Sequence, residues 1–118
     1  MTDCLLGSDD LPSGFEYPAQ YRRFLDTGAT SLEPWRFLGP PHLKRRQQGL
    51  ANRYPTRALV PFAARQDNDD VACWEGGQGG RVFIVHDHAN PGWERRGEFA
   101  DFHTWLRAAL EDYLAHDP

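Results

Sequence analysis

The sequence offers its chemistry most openly at two places. Asp67, Asp69 and Asp70 stand together in "RQDNDDVACWE", and His86, Asp87 and His88 close "RVFIVHDH". Carboxylates at alternating positions can bind calcium, and two histidines with a carboxylate can hold zinc and activate water. The calcium pattern breaks early, because Val71 and Ala72 fall where oxygen ligands should continue. The segment fits a polar turn entering a strand, with Asp67 or Asn68 bonding back to its own backbone. His86 and His88 share one face if their strand continues, and on that face they would share a metal. A third ligand would have to come from His103 or Asp101, since no paired spacing such as H-E-x-x-H occurs. Polar residues are also the ordinary way for a chain to leave a sheet. A metal-dependent hydrolase built on His86, Asp87 and His88 therefore remains the alternative to a plain strand end. Carboxylate pairing for glycosidase chemistry depends on spatial separation, so Asp69, Asp70 and Glu75 are candidates for it only by residue type.

Other catalytic signatures fail on inspection. There is no Gly-x-Ser-x-Gly, and Cys73 lies between apolar neighbours with no flanking base. Gly76, Gly77, Gly79 and Gly80 lack the Lys-Ser/Thr of a phosphate-binding loop and join strand to strand. With 13 Lys and Arg against 17 Asp and Glu, the formal net charge is −4. That balance argues against general binding to a phosphate backbone, so no nucleic-acid partner is expected. Charge is nevertheless polarised along the chain: Arg36 to Arg57 holds basic residues and no acid, whereas Asp9, Asp10, Asp67, Asp69, Asp70, Glu111, Asp112 and Asp117 gather negative charge. Lys44, Arg45 and Arg46 are adjacent, spread around a helix, and read as a solvated face.

The elements that must position these groups follow from periodicity. Residues 1–16 show no period and read as an irregular arm ahead of a single domain at 17–118. "YPAQYRRFLDTG" places Tyr21, Phe24 and Leu25 at i, i+3 and i+4, with Pro18 in the first turn and Gly28 at the C-terminal cap. It predicts a helix over about 18–27. Trp35 to Leu38 predicts a brief strand, and "PHLKRRQQGLANRYP" a basic-faced helix that Gly49 weakens. "TRALVPFAA" predicts a strand that Pro61 makes an edge or bulged one. "DVACWE" and "RVFIVHD" predict an antiparallel hairpin closed by the glycine loop, the second strand covered on both faces because it is apolar on both. An Asn-Pro-Gly turn precedes a C-terminal helix over about 101–115, with Asp101 as N-cap. Strands grouped between helices give an α+β fold: a mainly antiparallel sheet with helices packed against it. The 15 aromatic residues, four of them Trp, predict an aromatic core.

No apolar run approaches the roughly 18 residues that cross a bilayer, and the N-terminus carries no basic, long apolar leader. A cytoplasmic chain without membrane association is expected. Cys4 reads as a thiol on a loose arm and Cys73 as a small buried residue, with a disulfide between them the less favoured arrangement.

The pieces "YPAQYRRFLDTG", "PFAARQDNDDVACWE", "RVFIVHDHANPGWE" and "FADFHTWLRAALED" resemble, in order and spacing, the SUKH superfamily. That superfamily includes the yeast Smi/Knr-type cell-wall regulators and many bacterial immunity proteins. The resemblance covers residues 17–114. In it Pro18, Tyr21, Phe24, Leu25 and Gly28 match the first core helix, and Phe102, Trp105 and Leu106 match a Phe-x-x-Trp-Leu motif. Many members carry a further helix before the Pro-x-x-Tyr segment, and residues 1–16 do not read as one. The resemblance implies a non-enzymatic, cofactor-free protein-binding module, monomeric or weakly homodimeric, that neutralises a cognate toxin such as a nuclease. The alternative it leaves is a regulatory scaffold in cell-wall control. The partner surface expected is the acidic edge Asp67, Asp69, Asp70 and Glu75, with Trp74 and Trp93 as aromatic anchors if exposed; the alternative for each is core packing, which is the reading for Trp105.

Overall fold

The computed structural model describes residues 4–116. The first three residues of the arm and the tail acid Asp117 lie outside the described residues. Helix α1 is Ala19–Leu25, and strands β1 and β2 are Ser31–Leu32 and Trp35–Phe37. Helix α2 is His42–Arg53, followed by β3 Leu59–Arg65, β4 Asp70–Glu75, β5 Val82–His86, β6 Arg95–Phe99 and helix α3 Phe102–Ala115. The fold is α+β. Its six strands form one antiparallel sheet in chain order, β1-β2-β3-β4-β5-β6.

Local chemistry accounts for most of these boundaries. Helix α1 begins on the carbonyl of Pro18, which accepts from Tyr21 N, and stops at Gly28, whose φ of 79° suits a residue without a side chain. Asp101 caps α3 as expected, its carboxylate accepting from Thr104 N at 2.8 Å. Pro61 is accommodated by a bulge, because the β3–β4 register shifts between Pro61 and Ala63. It does not make an edge: β3 lies inside the sheet between β2 and β4. Strands β1 and β6 have no counterpart among the predicted elements. Strand β6, "RRGEF", has no buried residue and no alternation, so it lacks the hydrophobic pattern by which strands are recognised. It is a charged edge that closes the open side of β5.

The sheet separates two kinds of interior. On one face α1 and α3 press an aromatic cluster against the strands: Trp74 lies 4.3 Å from Phe62 and 4.8 Å from Tyr21, and Trp105 lies 4.9 Å from Phe62 and 5.3 Å from Trp35, centroid to centroid. On the other face α2 lays down Leu43 and Leu50, with Tyr54 just beyond its end. Val71 and Cys73 alternate with Ala72 and Trp74 along β4 and so face this second side.

The N-terminal residues are irregular, apart from a single 3₁₀ turn at Ser8–Asp10, but they are not loose. Cys4 and Leu6 are buried; the Tyr17 hydroxyl accepts from Leu6 N at 2.8 Å, and the Tyr21 hydroxyl donates to Cys4 O at 3.2 Å. Gly76 lets this segment dock, since a Cβ there would sit 2.8 Å from that of Pro12. Residues 4–16 thus belong to the same packed unit, and Cys4 is a core residue. Cys4 and Cys73 are not joined, and burial pushes the Cys73 thiol well above its usual range. Among the described residues no helix is long and apolar enough to cross a membrane.

Candidate functional site

The acidic turn divides into exposed and structural members. Asn68 Oδ1 accepts from Asp70 N at 2.8 Å, the local side-chain bond that shapes the turn. Asp67 is exposed and takes two bonds from Arg65, whose guanidinium holds its carboxyl below the ordinary range. Asp69 is exposed. Asp70 is largely covered: its Oδ1 lies 2.9 Å from His86 Nδ1 and accepts from Arg96 Nε at 3.1 Å. Asp70 therefore ties the ends of β4, β5 and β6 together, Asp67 is exposed but paired with Arg65, and Asp69 is exposed beside them.

The His-Asp-His triplet is split by the sheet. The strand stops at His86, His88 takes a left-handed φ of 69°, and Asp87 turns to the α2 side. The continuing strand that would put both histidines on one face does not form, so His86 joins Asp70 and Arg96 while Asp87 forms a different network. Among the described residues no three His, Cys, Asp or Glu side chains gather so as to hold a metal ion.

Asp87 is wholly buried, and its partners are arginines of α2. Arg53 binds it in a fork, Nε to Oδ1 at 2.6 Å and Nη2 to Oδ2 at 2.7 Å, and Arg46 Nη1 adds a bond to Oδ2 at 2.9 Å. His88 N donates to Oδ1 at 2.8 Å. Burial alone would raise the Asp87 carboxyl, but the bonds from Arg53, Arg46 and His88 N outweigh it and hold the pKa below the ordinary value. Gly49 leaves room for the fork, because a Cβ there would lie 2.6 Å from Arg53 Nη2 and the guanidinium would have to shift. The glycine that weakens the helix in sequence is the floor under a guanidinium.

A second buried carboxylate works the same way. Glu94 accepts from Arg57 Nη1 at 3.0 Å and from Gly92 N at 2.7 Å, and Arg57 also forks onto Glu75 at 2.8 and 3.1 Å while lying over the Phe83 ring. Burial pushes the Glu94 carboxyl up, while its backbone bonds and Arg57 pull it down further, leaving it low. Between these anchors runs the loop joining β5 to β6. It is tied at Asp87 N to Asp69 O, at His86 N to Glu94 O, at Trp93 N to Asn90 O, and at Ala89 O, which accepts from the Tyr54 hydroxyl at 2.8 Å. On this braced loop Trp93 stands 80% exposed.

The sequence-derived surface is therefore only partly assembled. Asp67 and Asp69 share one end of the sheet with the loop that carries Trp93. Glu75 sits at the far end of β4, engaged by Arg57. Trp74 is not an anchor: it is fully buried among Tyr17, Tyr21 and Phe62, and its Nε1 has no hydrogen-bond partner there. Tyr54, Arg57 and Glu94 were not legible as site residues. Arg46 is not part of a solvated face as its neighbours suggested, since it bonds the buried Asp87; the signal that could have found it is the helical spacing of His42, Arg46, Gly49 and Arg53, which places them on one stripe of α2. Comparisons with family models, with curated proteins and with solved structures each find no match.

Proposed function

We propose that this chain is a non-catalytic protein-binding module of the SUKH type, an immunity-type inhibitor that occludes the active site of a cognate toxin. The observation that carries this reading is Trp93, a large aromatic side chain held in solvent by a loop that buried ion pairs and backbone bonds brace on both sides. An exposed Trp on a pre-ordered loop loses little freedom on docking, and Trp is among the residues that dominate binding energy in interfaces. Asp69, exposed at the same end of the sheet, with Asp67 paired to Arg65 next to it, supplies the negative potential that would steer a basic groove, as in a nuclease, onto this end.

The test is neutralisation. A panel of nuclease-type toxin domains is co-expressed with wild type, Trp93→Ala and Asp69→Lys, and growth and complex formation are measured. Wild type is expected to restore growth. Trp93→Ala should weaken binding by about 30-fold or more, as loss of a hot-spot residue does, with an unchanged thermal midpoint. Asp69→Lys should act mainly on the association rate. Full protection by Trp93→Ala would remove this surface from the proposal, and a stoichiometric partner without toxic activity would replace inhibition with a scaffold role.

A further inference from the structure

Beside the Asp87 network, on the α2 side of the sheet, lies a cleft of about 440 Å³ lined by Arg36, His42, Arg45, Arg46, Arg53 and Arg65. No Asp or Glu among the described residues lines it. On a chain of net charge −4 this is a concentrated reversal of sign.

The guanidiniums are only partly neutralised. Arg65 borders the cleft but turns its guanidinium over the Trp35 ring to Asp67 and Asp112, so the charge of the cleft comes from the others, of which Arg46 and Arg53 divide the single carboxylate of Asp87. Among the described residues Arg36 meets the neutral Gln66, whose amide oxygen, turned toward it, accepts at 3.1 and 3.2 Å. Arg45 is exposed and makes no ion pair among the described residues. Like charges gathered in a cleft focus the potential and attract an anion, and guanidinium forks match phosphate oxygens.

We infer that this cleft binds a small phosphorylated ligand of about mononucleotide size. The volume falls within the roughly 300–1,000 Å³ of small-molecule pockets. Leu38 and Ala64 add apolar wall, so the lining suits a ligand with an anionic end and a small apolar body. A nucleic-acid strand fits less well, because it needs cationic charge along several successive phosphates. Here the positive stretch is short: Asp67, Asp69 and Asp112 flank the Arg65 side, and Asp10, paired with Lys44 at 3.7 Å, stands beyond Arg45. The inference is independent of the toxin-binding reading, since Trp93 and Asp69 take no part in the cleft.

Calorimetric titrations with ATP, GMP, pyrophosphate, inorganic phosphate and a single-stranded RNA 20-mer test it, at about 50 and 200 mM KCl to expose the electrostatic share. The variants are Arg36→Gln with Arg45→Gln, which leave Asp87 its partners, and Arg45→Gln alone should the pair fail to fold. A nucleotide or pyrophosphate is expected to bind with Kd below about 1 mM at low salt, and the double variant to weaken it by about tenfold or more. Absence of binding to every phosphorylated probe overturns the inference, as does binding that the variants leave unchanged. RNA bound far more tightly than any mononucleotide would reassign the cleft to nucleic acid.

Discussion

The two faces of the sheet are held by different physics. Under α1 and α3, rings pack on rings, and the few polar contacts, such as Trp35 Nε1 donating to Asp112 at 2.9 Å, sit at the margin. Under α2, carboxylates at Asp87 and Glu94 are buried with arginines around them. Apolar packing is non-directional and tolerates many arrangements, whereas an arginine fork fixes angles as well as distances. Buried ion pairs contribute little net stability, because desolvation offsets their attraction. What they give this chain is a fixed loop under Trp93 and a set of arginines held along one cleft. The aromatic face makes the fold, and the ionic face makes the surface on which function is proposed.

That division is tested most severely by Trp105→Ala. Trp105 is 1% exposed and touches Trp35, Phe37, Phe62 and Phe102, so truncation should cost about 3–5 kcal/mol in urea unfolding. A loss below about 1 kcal/mol would mean that the aromatic face is not the principal core. Asp87→Asn is expected next, at about 3 kcal/mol, since it strands two guanidiniums against a neutral amide. Here pH distinguishes the faces. Asp87 and Glu94 titrate lower when folded than when unfolded, so the unfolded chain binds more protons as acid is added. Their contribution is present above the unfolded carboxylate values of about 4 and is lost as pH falls through the lower folded ones. Wild-type stability should therefore drop steeply below about pH 4, Asp87→Asn should flatten part of that drop, and a conservative Trp105→Phe should leave it unchanged.

The same division explains what could be read in the sequence. Strands β4 and β5 and helix α3 were legible because their patterns are local: apolar runs bounded by glycine, and an apolar helical stripe behind an Asp cap. Of that stripe, Phe99, Phe102, Leu106, Ala109, Leu110 and Tyr113, the helix buries Phe102 and Ala109, whereas Leu110 and Tyr113 are exposed and Phe99 belongs to β6. Trp74 misled because β4 is buried on both faces, so no polar alternation marked which side of it was covered. In the triplet, strand alternation alone already sends Asp87 away from His86. What it cannot show is that Asp87 meets Arg46 and Arg53, which lie 41 and 34 residues earlier. The charged edge β6 escaped for the opposite reason, having no apolar period to read.

The smallest expected effect is the most discriminating, because its sign is in question. In an ordinary exposed helix, Gly49→Ala would stabilise by about 1 kcal/mol through reduced backbone freedom. In α2 the added methyl would approach Arg53 Nη2 to 2.6 Å and Cζ to 3.2 Å, so the guanidinium must shift. An arginine on open surface would move without cost. This one is pinned at both ends of its fork to a wholly buried carboxylate, and a charge-assisted bond is worth about 1.5–3 kcal/mol. Arg46 still holds Asp87, which limits the damage. The expected outcome is a net loss of about 1 kcal/mol by urea unfolding, accompanied by faster amide exchange in residues 87–94 because the loop depends on that fork. A net gain with unchanged exchange would show that Arg53 finds an equivalent seat, and that the ionic face is as adaptable as the aromatic one.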